Sequence, residues 1–245
     1  MIKRLFNRND NIAILIAGIF SIIIGLGVAR FAFTGLIPAM LDDYLTIKFV
    51  GILASLNFAG YLSGSIFSIF VKDINFKVYL YRFGIFLAIS TTFILAYSDN
   101  NTLWMIGRVL AGFAGAMCLI VGTSIVMQKL TIKSKTKAMG IHFSGIGFSI
   151  LTTDLLARFV LSLNYSWRDS WAVLAVFAII LSLYSVYILS FDKEVKQNAV
   201  KVKFDISIFT PFVIVLIIAY FTEGVGFVVQ ATFLPDIINN LKGLE

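Results

Sequence analysis

Long apolar runs alternate with short polar ones along the whole chain. A hydrocarbon layer about 30 Å thick is crossed by roughly 20 helical residues. Seven stretches meet that length, at 12–40, 49–71, 78–97, 103–127, 138–163, 171–191 and 206–238. None alternates in the manner of a barrel strand, and lipid offers no partner to a free backbone group, so each is predicted to be a helix. The fold class expected is all-α, a polytopic membrane helix bundle. The first run follows Lys3, Arg4 and Arg8 as a secretory leader would. It continues well beyond a leader's apolar core without a small-residue cleavage pattern, so it reads as an uncleaved span.

The polar connections set orientation, because Lys and Arg in short loops stay on the cytoplasmic side. One side collects Lys3, Arg4, Arg8, Lys72, Lys77, Arg82, Lys129, Lys133, Lys135, Lys137, Lys193, Lys196, Lys201 and Lys203, and the other only Lys48, Arg168 and Lys242. The amino terminus is therefore predicted to be cytoplasmic. The longest connection divides the chain into a six-helix bundle over 1–191, a cytoplasmic linker over 192–205 and a further helix over 206–245. Aligning Pro38 with Pro235 also aligns Gly27 with Gly224 and Val28 with Val225, a modest sign of internal duplication.

Composition agrees with this pattern. Hydrophobic residues make up 59% of the 245 and charged ones 13%, about half the share of a soluble chain. The net charge of +7 is dispersed between apolar runs, which gives nucleic acid no basic surface. A single cysteine, Cys118, excludes an intrachain disulfide, and a single histidine, His142, excludes a multi-histidine metal site.

Candidate chemistry lies in the polar residues within spans. A charge at mid-membrane costs about 2.5–3.5 kcal/mol on insertion scales and is expected to face a bundle interior or a wet cavity. Arg30, Arg108, Asp154, Arg158 and Glu223 qualify. Counting about 1.5 Å per residue from the outer helix ends places Arg30 and Asp154 roughly 15 Å deep and Arg108 and Arg158 about 8 Å deep. Glu223 lies somewhat past halfway along its helix, so Arg30, Asp154 and Glu223 form a candidate midplane group.

Each of these residues has a structural reading beside the functional one. Asp154 and Arg158, four apart, can pair on one helix, or Asp154 can serve a proton or substrate. Glu223 has no charged neighbour within a turn, so it needs a partner on another helix or a proton. Arg30 is either a bidentate anion clamp or a structural cation paired with Asp154 or Glu223. Asn57 and Tyr61 share a helix face, where they line a cavity or hydrogen-bond a neighbouring helix. His142 reads as an interfacial residue rather than a relay. Gly60 and Gly64, and Gly112, Gly115 and Gly122, form small-residue stripes for close packing. Trp104, Trp167 and Trp171 fall at outer ends, where an aromatic belt is expected.

Local motifs sharpen this reading. The first span carries Gly27, Arg30, Phe31, Phe33, Thr34 and Pro38, and the second carries Asn57, Gly60, Tyr61, Leu62 and Gly64. The fourth carries Arg108, Ala111, Gly112, Gly115 and Ala116. With the run from Phe143 to Gly147 and Ser166-Trp167-Arg168, the chain resembles the major facilitator superfamily, in particular its YbfB/YjiJ-like branch, over 12–238. The resemblance implies a carrier of twelve helices in two rocking halves, of which this chain looks like the amino-terminal half plus the seventh helix. It makes Arg108 similar to an arginine linked to proton coupling, although its outer position equally permits snorkelling. Between the second and third spans Asp73 and Lys77 fit the superfamily pattern, while Ile69 and Phe76 stand where glycines are expected. The fifth span lacks the proline of an antiporter-type glycine motif.

The function expected is secondary active transport of a small organic solute, anions included, by alternating access with proton coupling. The expected location is the plasma (inner) membrane. A non-transporting scaffold, or a half-transporter subunit requiring a second half-bundle, is the alternative. Seven spans alone would suggest a receptor, but the orientation is inverted and the last span has no lysine for a retinal Schiff base. One histidine supplies neither a serine nor a metal protease centre, so no enzyme and no cofactor is expected. The partners expected are membrane lipid, the solute and protons.

Overall fold

In the computed structural model, residues 6–41, 43–131, 135–190 and 210–242 are described. They form seven helical stretches and, among the described residues, no strand. Six are long and apolar enough to cross a membrane: α1 (Asn11–Leu41), α2 (Ile47–Phe70), α3 (Ile74–Tyr97), α4 (Asn101–Lys129), α5 (Lys135–Ser162) and α6 (Trp167–Ile188). The seventh, α7 (Pro211–Lys242), starts with proline at its first position behind Thr210, whose hydroxyl accepts from the Val213 N–H at 3.4 Å. The chain divides into two compact units, Met1–Gln197 and Asn198–Glu245. The predicted linker over 192–205, and residues 206–209 of the predicted last span, lie outside the described residues.

Several helices begin two to four residues before their apolar runs, and their polar caps explain the difference. Thr46, Asp73, Asn100 and Ser166 each accept a hydrogen bond from a first-turn N–H, and Ser166 with Asp169 completes a reciprocal capping box. Apolarity marks the lipid-crossing part, whereas the cap fixes where the helix starts.

α1 is the most enclosed span of the first unit; α2 and α5 keep the most open faces. α1 is also the least regular. Its middle, Ile23–Phe31, is wound as a π-helix, and Pro38 interrupts its last segment. α4 carries a second π-turn at Met117–Val121. The two wide segments meet where Gly25 lies against Cys118: a Cβ added to Gly25 would stand 2.4 Å from the Cys118 Cβ.

The tightest contact joins α2 to α4. A Cβ on Gly60 would lie 2.0 Å from the Val109 carbonyl oxygen, and one on Gly112 would lie 2.0 Å from that of Asn57. The obstructing atoms are backbone, so only glycine permits the approach.

Hydroxyls stitch the remaining seams. Ser185 Oγ donates to the Ala17 carbonyl at 2.6 Å. Its one proton is thereby used, so the Tyr81 hydroxyl donates to Ser185 across 2.6 Å. Ser21 donates to the Cys118 carbonyl at 2.9 Å, and Lys77 Nζ reaches Ser124 Oγ at 2.8 Å. His142 belongs to this interior rather than to the interface expected for it. It is fully buried, its Nε2 is 2.9 Å from Thr123 Oγ1, and its Nδ1 sits over Gly18, whose missing side chain makes the space.

The tryptophans also depart from expectation. All three are buried rather than spread as a lipid-facing belt. At the helix ends beside Tyr44, Trp104 and Trp167 build an aromatic lock in which each indole N–H removed from water finds an acceptor, whereas the buried Trp171 Nε1 has none among the described residues. Trp104 Nε1 donates to the Ser98 carbonyl at 2.8 Å and Trp167 Nε1 to Asp43 Oδ2 at 2.9 Å. Tyr44 packs against both rings, at 5.2 Å from Trp104 and 5.9 Å from Trp167, and the two indoles meet edge to face at 5.9 Å. Its hydroxyl donates to the Asp99 carbonyl or Asn101 Oδ1, each 2.9 Å away. Arg168 covers Trp167 and pairs with Asp99. Desolvation, with the Asp99 charge adding to it and Arg168 opposing, raises the Tyr44 phenol above its usual range, so it remains a donor.

The close approach of α2 and α4 makes a contrast within one residue type. Gly60→Ala and Gly112→Ala are expected to destabilise the purified protein by about 1–3 kcal/mol each, read as a lower Tm in detergent. Gly140→Ala, where nothing lies within 4 Å of the added carbon, should leave Tm unchanged.

Candidate functional site

The π-wound part of α1 presents its backbone to α4. Arg108 is 2% exposed, and its guanidinium donates to the Ala29 carbonyl at 3.1 Å and to that of Leu53 at 3.5 Å. Its charge lies over the Phe33 ring, 4.3 Å from the centroid. Asn57 Nδ2 donates in turn to the Arg108 carbonyl at 3.1 Å. Arg108 therefore does not snorkel: it is held by carbonyls from two helices and a ring from one of them. Asn57, 1% exposed, makes an interhelical hydrogen bond, and its Oδ1 has no hydrogen-bond partner among the described residues.

Arg30, one residue past the carbonyl that Arg108 grips, is held differently. It is half-buried, and the contacts it makes are with ring faces: Phe58 at 4.3 Å, Tyr61 at 5.2 Å and Phe31 at 5.4 Å. Cation–π attraction holds the charge where no acid is supplied. Tyr61, half-buried, is thus one of the rings packed around Arg30.

The acid that depth assigned to Arg30 has another partner. Asp154 Oδ2 accepts from Arg158 Nε at 2.7 Å, one turn along α5. The pair is open: Arg158 is 64% and Asp154 35% exposed. The carboxylate also lies against α1, where a Cβ on Gly35 would stand 2.8 Å from its Oδ1. Glu223 is exposed on α7 in the second unit, with no ion pair or hydrogen bond among the described residues. The first unit thus joins Arg30 to Tyr61 and Arg108 to Asn57, and pairs Asp154 with Arg158, but forms no ion pair between Arg30 and Asp154.

Sequence reasoning missed Phe58 and Phe31 as the walls around Arg30, and Ala29 and Leu53 as carbonyl acceptors. Phe58 had a usable signal, being an aromatic residue between the polar Asn57 and Tyr61 on one span. The carbonyls had none, because any residue carries one.

Comparison with known proteins agrees with these motifs. A family model described as "Uncharacterised MFS-type transporter YbfB" matches residues 22–244. The protein TsgA homolog of Buchnera aphidicola subsp. Baizongia pistaciae (strain Bp) is 24% identical over 161 residues, which are 64% of this chain. The match spans 41% of that relative's length.

The two arginines should separate in a stability assay. Arg108→Lys keeps a charge but cannot span both carbonyls, and should cost about 2 kcal/mol, measured as a fall in Tm. Arg30→Gln removes no hydrogen bond among the described residues and should leave Tm near that of the parent protein.

Proposed function

The chain belongs to the YbfB-like family of MFS-type transporters, and from that premise we propose that it is the amino-terminal part of a secondary active carrier for a small organic solute. The carrier works by alternating access in the plasma (inner) membrane, with the amino terminus in the cytoplasm, a reading supported by the distribution of loop lysines and arginines. It is a transporter and not an enzyme. A second set of helices, whether from the same or another chain, completes its pathway.

One observation carries this reading. The first unit seals one membrane-depth charge, Arg108, among carbonyls, yet leaves Arg30 half-buried without an acidic partner and the Asp154–Arg158 pair exposed. Lipid does not tolerate bare charges at that depth, so their open sides belong to a polar pathway. The glycine-mediated approach of α2 to α4 and the aromatic lock favour a body that tilts as a whole instead of bending. Such tilting is how carriers of this type expose a fixed site to each side in turn.

Proton coupling is assigned to the two membrane-depth carboxyls, Glu223 and Asp154. A carboxyl that takes a proton when its surroundings become dry can carry it across. Arg108, sealed as it is, serves packing in this scheme and does not exchange protons.

The test is reconstitution of the full chain in proteoliposomes containing a pH-sensitive dye, challenged with a panel of small organic acids and amines. Solute addition should drive proton movement, and a protonophore should lower accumulation about tenfold or more, as a coupling of about 1.4 kcal/mol would give. Glu223→Gln should abolish the solute-driven proton signal. Unchanged pH-dependent uptake in that variant would remove the proton assignment.

A further inference from the structure

We propose that Arg30 and the rings around it form a recognition site for a small organic acid, binding its carboxylate on the guanidinium edge and its flat apolar body against Phe58 and Tyr61. The inference rests on the carrier reading and names the chemical class of its cargo.

Charge balance excludes a cationic ligand. The membrane-depth charges of the first unit are Arg30, Arg108, Asp154 and Arg158, and the one acid among them is already taken by Arg158 at 2.7 Å. Two cations remain. Arg108 is bonded to the Ala29 carbonyl, the oxygen of the peptide that leads into Arg30, at 3.1 Å. Arg108 thus grips the residue next to Arg30, and among the described residues no carboxylate pairs with either arginine. A cation entering here would meet repulsion in a medium that screens it weakly, whereas an anion would neutralise the excess.

Geometry then selects among anions. Rings attract the face of a guanidinium, but its five N–H donors lie in the plane and point away from that face. Phe58 at 4.3 Å, Tyr61 at 5.2 Å and Phe31 at 5.4 Å supply attraction and accept none of those hydrogens. No hydrogen bond from Arg30 occurs among the described residues, so its donors are available. Two parallel N–H groups match the two oxygens of a carboxylate. A bare inorganic anion would use the donors but leave the aromatic walls uncovered. An acid with a flat apolar body uses both.

The Arg108 arrangement supports this division of labour. It shows how the fold satisfies an arginine that is only structural, by turning backbone carbonyls onto it. The neighbouring arginine receives no such carbonyls, although the same π-wound segment of α1 carries it.

The test is equilibrium binding, by calorimetric titration of the full chain in phosphatidylcholine nanodiscs. The probes are benzoate, benzylamine, benzyl alcohol, acetate and inorganic phosphate. Benzoate should bind at least tenfold more tightly than each of the others. Arg30→Lys should weaken benzoate about tenfold and Arg30→Gln about a hundredfold, the range expected for losing one or both charged hydrogen bonds. Phe58→Leu should weaken benzoate severalfold and leave acetate unchanged. Should Arg30→Gln lower Tm, Arg30→Lys and Phe58→Leu carry the test. Equal benzoate affinity in parent and Arg30 variants, preference for benzylamine, or phosphate binding as tight as benzoate would each overturn the proposal. So would an Arg30-dependent response to phosphatidylglycerol in the disc with none to benzoate. Binding without uptake would count against the carrier reading alone, and uptake of benzoate independent of Arg30 would count against this site alone.

Discussion

A charge sealed at membrane depth must be satisfied by the protein, and at Arg108 this requirement organises the first unit. The Ala29 carbonyl is available because α1 is π-wound there, and Leu53 is within reach because α2 lies almost backbone to backbone against α4. The glycines, the irregular stretch of α1 and the arginine are therefore one arrangement. Removing any of them disturbs the others, since the guanidinium has no water to turn to. Asn57 reinforces the same crossing by donating to the Arg108 carbonyl.

This arrangement also explains why two arginines so close along the fold differ in role. Arg108 has acceptors and a ring, and is finished as a structural group. Arg30 has rings and lacks acceptors, so the fold holds its side chain in place without consuming its donors. Asp154, the acid within reach by depth, is directed along its own helix to Arg158 and lies on α1 only where Gly35 makes room.

The parts of this structure that depend on local pattern were legible in the sequence. The six spans follow from apolar length, and the Asp154–Arg158 pair follows from a spacing of four. Features that depend on distant partners were not. A tryptophan near a helix end reads as a lipid-facing anchor until Asp43 is known to lie beside Trp167, and the two are 124 positions apart. His142 looks interfacial by position and is interior because Gly18 and Thr123 receive it. The helix starts lie ahead of the apolar runs because caps are polar and fall outside a hydropathy window. The environment of Arg108 was hidden for a different reason: its acceptors are main-chain oxygens, on which side-chain identity has no bearing.

The aromatic lock has a consequence for biosynthesis. Its members come from three separate connections, and Trp167 and Arg168 leave the ribosome last of them. Until α6 is delivered, Tyr44 has only the Trp104 indole beside it, Asp43 has no indole to accept from, and Asp99 has no guanidinium. The earlier helices thus wait, incompletely fastened at that end, for partners 69 positions behind Asp99 and 124 behind Asp43 in translation. A nascent chain arrested before α6 would lack the Trp167 and Arg168 contacts to Asp43 and Asp99, so this end of the first unit is fastened only once the sixth helix is made.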